Sequence, residues 1–329
     1  MTPSSATPAI LTVTANPSLD RTLELATPLR HGEVQRASSV RAEPGGKGIN
    51  VARVVSEAGL PTRAVLPART GDPLLGALDT VGLPYLTLPI NGAVRSNVTI
   101  ADPDGTTTKI NAPGFDLNPA EAHALVDVIV ENADGARWVA LCGSLPPGPS
   151  DNWYRTVIDE LDGLGCRVAV DTSGGPLTAT VRGRVDLLKP NDEELAGATG
   201  ADSARLVAAV SQGDHAPLIT AARTLVDRTG AAVLATLGAA GAVLVTDAGA
   251  WFATPPPIVP RSTVGAGDSA LAGYLIAETR GDTEAQRLRT AVAYGSAATA
   301  LAGTQPPEPE HLDLDGVTVT DLSGAAHVG

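Results

Sequence analysis

The stretch STVGAGDSALAGY (262–274) sets Gly265, Ala266 and Gly267 directly ahead of Asp268 and a run of good helix formers. Free amides at a helix start, reinforced by the positive end of the helix dipole, attract an anion. A carboxylate at the same spot would repel a phosphate unless a hydroxyl lay between them. Asp268 would then take the hydroxyl proton while the amides steadied the transferring phosphoryl group. An ordinary helix cap with glycines for turn geometry accounts for the same residues without chemistry. The stretch also fits a loose dinucleotide fingerprint, Gly265-x-Gly267-x-x-Ala270. It follows a proline-rich segment rather than a buried strand, however, and leads into two successive helices, which weakens a hydride-transfer reading. A G-x-x-x-x-G-K-[ST] phosphate loop is absent.

Two further stretches carry chemistry. In EPGGKGINVARVV (43–55), Gly45, Gly46 and Gly48 permit close approach of backbone, Lys47 offers a point charge, and Asn50 adds a donor and an acceptor. Polyols need such mixed donors, and phosphates need the amides and the lysine; a glycine-rich turn is the plain alternative. In LLKPNDEEL (187–195), Lys189 and Asn191 end an apolar run and Glu194 follows one helical turn after Asn191. Asn and Glu at this spacing suit a hydrated Mg²⁺, and a negatively charged first helical turn is the plain alternative. CGSLPPG (142–148) and ATLGAAGAVL (235–244) are further glycine loops suited to backbone contact with a ligand.

The elements that must hold these groups alternate. Short Val-, Leu- and Ala-rich runs such as ARWVALCG and CRVAVDTS are separated by amphipathic helical segments. That rhythm predicts an α/β fold with a mainly parallel central sheet between two helical layers and ligand loops gathered at one sheet edge. RTLEL with GEVQRASSVRA, and RSNVTIADPDGTTTKINAPG, break the rhythm by alternating polar and apolar residues, with DPDG as a hairpin turn. They predict a small β-sheet lid contributed by about 20–42 and 93–113, over a main domain spanning 9–304. The proline-rich, acidic segment 305–329 reads as a tail with one late strand.

Composition bounds the partners. The 329-residue chain carries a net charge of −13, with no basic surplus for nucleic acid or an anionic membrane surface. Cys142 and Cys166 show no metal or redox spacing, the N-terminus lacks a signal-peptide pattern, and no run is long enough to span a bilayer. A cytoplasmic location is the expectation.

In combination, GGKGINVARVVSEAG, KPNDEEL and STVGAGDSALAGYL, in this order and spacing, resemble the ribokinase-like (PfkB) family of carbohydrate kinases. The resemblance runs from about Ile10 to Gly303. TVTANPSLDRTLEL, GEVQRA, RSNVTI, INAPG and GSLPPG are similar to its phosphosugar branch. The resemblance implies a ribokinase-like three-layer α/β/α sandwich with a β lid, Mg²⁺ as cofactor and ATP as co-substrate. It implies transfer to fructose 1-phosphate, giving fructose 1,6-bisphosphate, with tagatose 6-phosphate or fructose 6-phosphate as the alternative and a non-catalytic sugar- or nucleotide-binding regulator further off. By the same resemblance Asp268 is the catalytic base and Gly265, Ala266 and Gly267 the anion hole. Asp20, Gly45, Gly46, Lys47, Asn50, Arg95 and Ser144 would hold the sugar phosphate, and Lys189, Thr236, Gly238 and Gly241 the nucleotide. Asn191 and Glu194 would serve the metal. Ala15, Val94 and Ala112 depart from the family pattern on the lid and sugar side. The expected positive charge of the cleft comes from Arg21, Lys47, Arg95 and Lys189 with two helix N-termini, and the lid's exposed edges suggest a homodimer.

Overall fold

The computed structural model describes residues 7–181, 183–301 and 303–323. Its strands are β1 (Ile10–Thr14), β2 (Ser18–Leu25), β3 (Ala37–Gly45), β4 (Thr62–Ala68), β5 (Tyr85–Pro89), β6 (Arg95–Ala101), β7 (Thr107–Ile110), β8 (Trp138–Cys142), β9 (Arg167–Asp171), β10 (Leu187–Leu188), β11 (Ala232–Thr236), β12 (Ala242–Thr246), β13 (Gly249–Thr254) and β14 (Thr318–Asp321). The helices are α1 (Lys47–Glu57), α2 (Pro73–Thr80), α3 (Pro119–Ala133), α4 (Trp153–Leu161), α5 (Gly174–Thr180), α6 (Asp192–Thr199), α7 (Ser203–Ser211), α8 (Ala216–Thr229), α9 (Ala266–Thr279) and α10 (Glu284–Ala300).

The main sheet has ten strands in the order β14-β13-β12-β11-β10-β9-β8-β1-β4-β5. It is parallel from β11 through β5, and the β11–β14 edge is antiparallel. Both faces are apolar, which is why the strands read as unbroken runs. Leu11, Val13, Val139, Leu141, Val168 and Val170 turn to one face with α3, α4 and α8. Ile10, Trp138, Ala140 and Ala169 turn to the other with α1, α9 and α10. The α/β/α sandwich expected from the alternation is therefore the fold.

The chain places β4 and β5 on one side of β1 and β8 through β11 on the other. In such open sheets ligands bind where the direction reverses, which here is at the carboxyl ends of β1 and β8. Because β10, β9, β8 and β1 are neighbours, Lys189, Asp171, Gly143 and Asn16 follow one another along that edge.

The second sheet, in the order β3-β2-β6-β7, is built from the alternating segments. The turn at DPDG closes as expected, with the Asp102 amide donating to the Thr106 carbonyl at 2.8 Å. Pairing of Asp20 with Asn97 and with Glu43 puts these residues on one face of the lid. Leu23, Val40, Ile100 and Ile110 lie on the other. Arg21 belongs to that second face, so the expectation that it adds charge to the cleft is corrected: successive strand residues point to opposite sides, and Asp20 is the one turned inward.

Helix α9 is anchored at its far end. Glu278, buried, receives Arg137 Nε (3.0 Å), Arg167 Nη1 (2.6 Å) and the Trp138 indole N–H (2.6 Å) at the starts of β8 and β9. Among the described residues no helix is long and apolar enough to cross a membrane.

Candidate active site

Asp268 is not a cap. Gly265 holds the N-cap position with φ 78°, in the left-handed region that glycine tolerates, and no side chain caps the helix. Its carbonyl accepts the Ser269 amide at 2.8 Å, so the amides of residues 266–268 precede the first intrahelical bond and remain available. Asp268 sits in the first turn of α9, 6 % exposed, and its Oδ2 accepts a hydrogen bond from Asn50 Nδ2 at 2.8 Å. Asn50 lies on α1, whose own N-terminus at Gly46 carries no side-chain cap. Two helix starts and one carboxylate therefore meet here.

The positive charge beside them is organised by a residue the motif reading missed. Asp171, at the end of β9 and fully buried, receives Lys47 Nζ at 2.7 Å and Lys189 Nζ at 3.1 Å. Burial works to raise the Asp171 acid, but Lys189 and Lys47 overcome it and hold it below its ordinary value. Burial likewise works against the Lys47 ammonium. The Asp171 carboxylate, with Asp268 and Glu194, outweighs it, so Lys47 stays charged. The Lys47 side chain keeps 37 % exposure while Asp171 keeps none. A Cβ on Gly267 would stand 3.4 Å from Lys189 Nζ, which places that ammonium at the amide cluster. Asp268 is pushed up to about 6, first by burial and then by the Asp171 charge, against the pull of Lys47, Asn50 and Lys189. Near neutral pH it is thus ionised but readily protonated, the condition a general base requires.

Among the residues expected to hold the sugar phosphate, Asp20 Oδ1 accepts from Ser18 Oγ (2.7 Å) and Asn97 Nδ2 (2.9 Å). Its carboxylate lies directly on Gly45, where any Cβ would overlap it. That contact accounts for the first glycine of the motif. Gly46 and Gly48 meet Thr14 and Val13 instead, so those glycines serve close packing of α1 on β1 as much as ligand approach. Arg95 lies at the start of β6 and donates Nη1 to the Ala112 carbonyl and Nη2 to the Asn16 carbonyl, both at 3.0 Å. Its Nε is buried without a partner among the described residues. Asn16 donates to the Pro113 carbonyl at 3.0 Å and stands 3.5 Å from Ser144 Oγ, a marginal contact. Ser144 thus sits beside the lid return loop.

The residues expected on the nucleotide side gather further along the edge. Thr236 bridges Asn191, its amide donating to the Pro190 carbonyl at 3.0 Å, and Gly238 and Gly241 bracket a single 3₁₀ turn after β11. Asn191 and Glu194 form a reciprocal capping box on α6. Asn191 Oδ1 accepts the Glu194 amide (2.8 Å), and Glu194 Oε2 accepts the Asn191 amide (2.9 Å). The plain alternative, a capped and negatively charged first turn, is therefore present. Glu194 keeps Oε1 outside that box, close enough for its charge to act on Lys47. No group of three or more His, Cys, Asp or Glu able to hold a metal ion occurs among the described residues. This sparse oxygen set fits a hydrated Mg²⁺ held through its own waters and nucleotide phosphates rather than in a protein cage.

A buried, base-competent carboxylate beside free helix amides and paired lysines, at the switch point of an α/β sandwich with a β lid, defines a phosphotransferase acting on an alcohol. The chain belongs to the pfkB family of carbohydrate kinases, whose sequence profile matches residues 14–311. It is an ATP-dependent sugar-phosphate kinase of that family. It is 35 % identical to the 1-phosphofructokinase of Rhodobacter capsulatus over 315 residues, 94 % of this chain and 96 % of that one. It is 33 % identical to the ATP-dependent 6-phosphofructokinase isozyme 2 of Escherichia coli K12, over 90 % of this chain and 94 % of that one. Phosphofructokinase-2 from Escherichia coli, solved with substrates and products, superposes with a TM-score of 0.83 at 31 % identity, covering 92 % and 96 % of the two chains. A tetrameric inhibited form of that same enzyme matches at 0.81 and 31 %, covering 90 % and 96 %.

Proposed function

We propose that this kinase transfers the γ-phosphoryl group of ATP to the free primary hydroxyl of a fructose monophosphate, giving fructose 1,6-bisphosphate. The observation that carries the reading is the position of Asp268, buried in the first turn of α9 beside the amides that precede the first intrahelical bond. A primary hydroxyl lodged there gives its proton to Asp268 as its oxygen meets the γ-phosphorus. The amides at Gly265, Ala266 and Gly267 then hold the charge on the phosphoryl oxygens. Lys189, adjacent to Gly267, serves the same charge, and Thr236, Gly238 and Gly241 cradle the rest of the nucleotide. Asp20, Gly45, Gly46, Lys47 and Asn50 hold the sugar hydroxyls, with Arg95 and Ser144 at the phosphate end. Asn191 and Glu194 would hold Mg²⁺ through water, and the bound ion supplies charge neutralisation on the phosphates. The lid shields the site so that water does not take the phosphoryl group.

Fructose 1-phosphate and fructose 6-phosphate present the same pair of ends in opposite order and yield one product. Likeness to the Escherichia coli isozyme 2 in both sequence and structure supports fructose 6-phosphate. Likeness to the Rhodobacter capsulatus enzyme supports fructose 1-phosphate. A coupled ADP-release assay over fructose 1-phosphate, fructose 6-phosphate, tagatose 6-phosphate and fructose separates them. Turnover of at least one fructose monophosphate is expected, and turnover of unphosphorylated fructose alone would overturn the reading.

The outer lid face supports a homodimer: Val40 is 61 % and Ile110 58 % exposed, flanked by Leu23 and Ile100. Light scattering at micromolar concentration should give twice the chain mass, and a monomer defeats the assignment. ATP as donor and free thiols at Cys142 and Cys166 support a cytoplasmic setting.

A further inference from the structure

The inward face of the lid contains a polar residue outside the sugar-binding set, hydrogen-bonded to one inside it. Asn97 stands opposite Asp20 in the parallel pairing of β2 and β6. Its two amide ends are both used. Nδ2 donates to Asp20 Oδ1 at 2.9 Å, and Oδ1 accepts the Ala112 amide at 3.2 Å. Ser18 Oγ donates to the same Asp20 oxygen at 2.7 Å. Oδ1 of Asp20 is therefore saturated, and Oδ2, lying over Gly45, is the oxygen left for a sugar hydroxyl. Both backbone groups of Ala112 are gripped by β6, its N–H by Asn97 and its carbonyl by Arg95.

We infer that Asn97 is a positioning residue for the phosphoketose. It turns the Asp20 carboxylate so that Oδ2 faces the sugar, and it ties that orientation to the loop after β7. This rests on the fructose-monophosphate reading for the identity of the ligand and on the hydrogen bonds alone for the geometry. Asparagine suits the place because one end must donate to a carboxylate while the other accepts from a backbone amide. Aspartate has the same shape and keeps the acceptor for Ala112, but it turns the donor facing Asp20 into a second carboxylate. At neutral pH the two would repel; at lower pH one of them takes a proton and the donor returns.

The test uses the full-length chain with Asn97→Ala and Asn97→Asp, assayed with ATP and whichever fructose monophosphate the wild type turns over, from pH 6 to pH 8. Asn97→Ala should raise the sugar-phosphate KM about tenfold at every pH and leave the ATP KM within about twofold. Asn97→Asp should raise it further at pH 8, and its ratio to the wild-type KM should fall as the pH is lowered. Dividing by the wild type cancels titration of the substrate's own phosphate. Thermal unfolding without ligand supplies a readout independent of the reaction. The Tm deficit of Asn97→Asp should be larger at pH 8 than at pH 5.5, and that of Asn97→Ala the same at both. An unchanged sugar KM, equal rises in both substrates' KM, or a pH-independent Asp-to-wild-type ratio overturns the inference. So does a Tm deficit of Asn97→Asp that does not change with pH. A wild type inactive on both fructose monophosphates sinks the functional reading instead, and the unfolding series then decides on Asn97.

Discussion

Replacing Asp268 by asparagine should make the folded protein more stable at alkaline pH. The side chain is buried, and its acid is raised from an ordinary 3.8 to about 6, chiefly by burial and by repulsion from Asp171. The folded state therefore holds the proton more tightly than the unfolded chain does. Stability tied to this group is fully present below about pH 4 and is lost as the pH rises through 6. By linkage the loss amounts to about 1.5 kcal/mol at pH 5 and about 3 kcal/mol at pH 8. Asparagine has the same shape, can still accept from Asn50, and carries no charge to desolvate. Urea unfolding of wild type and Asp268→Asn at pH 5 and pH 8 should show the variant's advantage growing by about 1.5 kcal/mol between the two. The change with pH is the informative quantity, because any fixed cost of the substitution cancels. A gap that stays constant, or that favours the wild type more at pH 8, refutes the claim that this carboxylate is held ionised against its surroundings. A stabilising change on removal of this charge is the expected signature of a group kept for chemistry rather than for folding.

Asp171→Asn removes a charge that repels Asp268 and leaves Lys47 and Lys189 uncompensated. The acidic limb of kcat/KM, taken relative to wild type so that substrate phosphate titration cancels, should move down by about one pH unit, and an upward or absent shift contradicts the charge arrangement. Arg95→Ala should raise the sugar-phosphate KM by about tenfold or more with a smaller effect on kcat, and Arg95→Lys should not restore it, since a point charge cannot bridge the Ala112 and Asn16 carbonyls. An unaltered KM removes Arg95 from the site. Glu278→Ala leaves Arg137 and Arg167 without their buried partner and should cost on the order of 3 kcal/mol in denaturant unfolding, while Glu278→Gln, which keeps one acceptor oxygen for the Trp138 indole, should cost less.

Much of the site was legible because its chemistry demands unusual residue combinations. The glycines ahead of Asp268 drew attention because they suit bare amides, and the structure puts Gly265 rather than Asp268 at the N-cap, with no side chain capping the helix. The sandwich was legible because strands buried on both faces lose their polar alternation, as Leu11 and Val13 against Ile10 illustrate. Asp171 escaped notice because a lone acid ending VAVD has no motif around it. The available signal was positional: like Lys189, it terminates a buried strand at the ligand edge. Asn97 was hidden for another reason, since its contact with Asp20 depends on register between β2 and β6, which no local pattern encodes. Arg21 was misplaced because its charge was considered without the alternation that turns it outward. The partial commitment of Asn191 and Glu194 to capping was one of the readings open from the start, and the structure shows capping and an available carboxylate oxygen together.

The account stands on Asp268 removing the proton of the attacking hydroxyl. The most direct measurement is kcat of Asp268→Asn in the coupled ADP-release assay with a fructose monophosphate, alongside nucleotide affinity by titration. A fall in kcat on the order of a thousandfold or more with nucleotide affinity intact is predicted; turnover within about tenfold of wild type would contradict it.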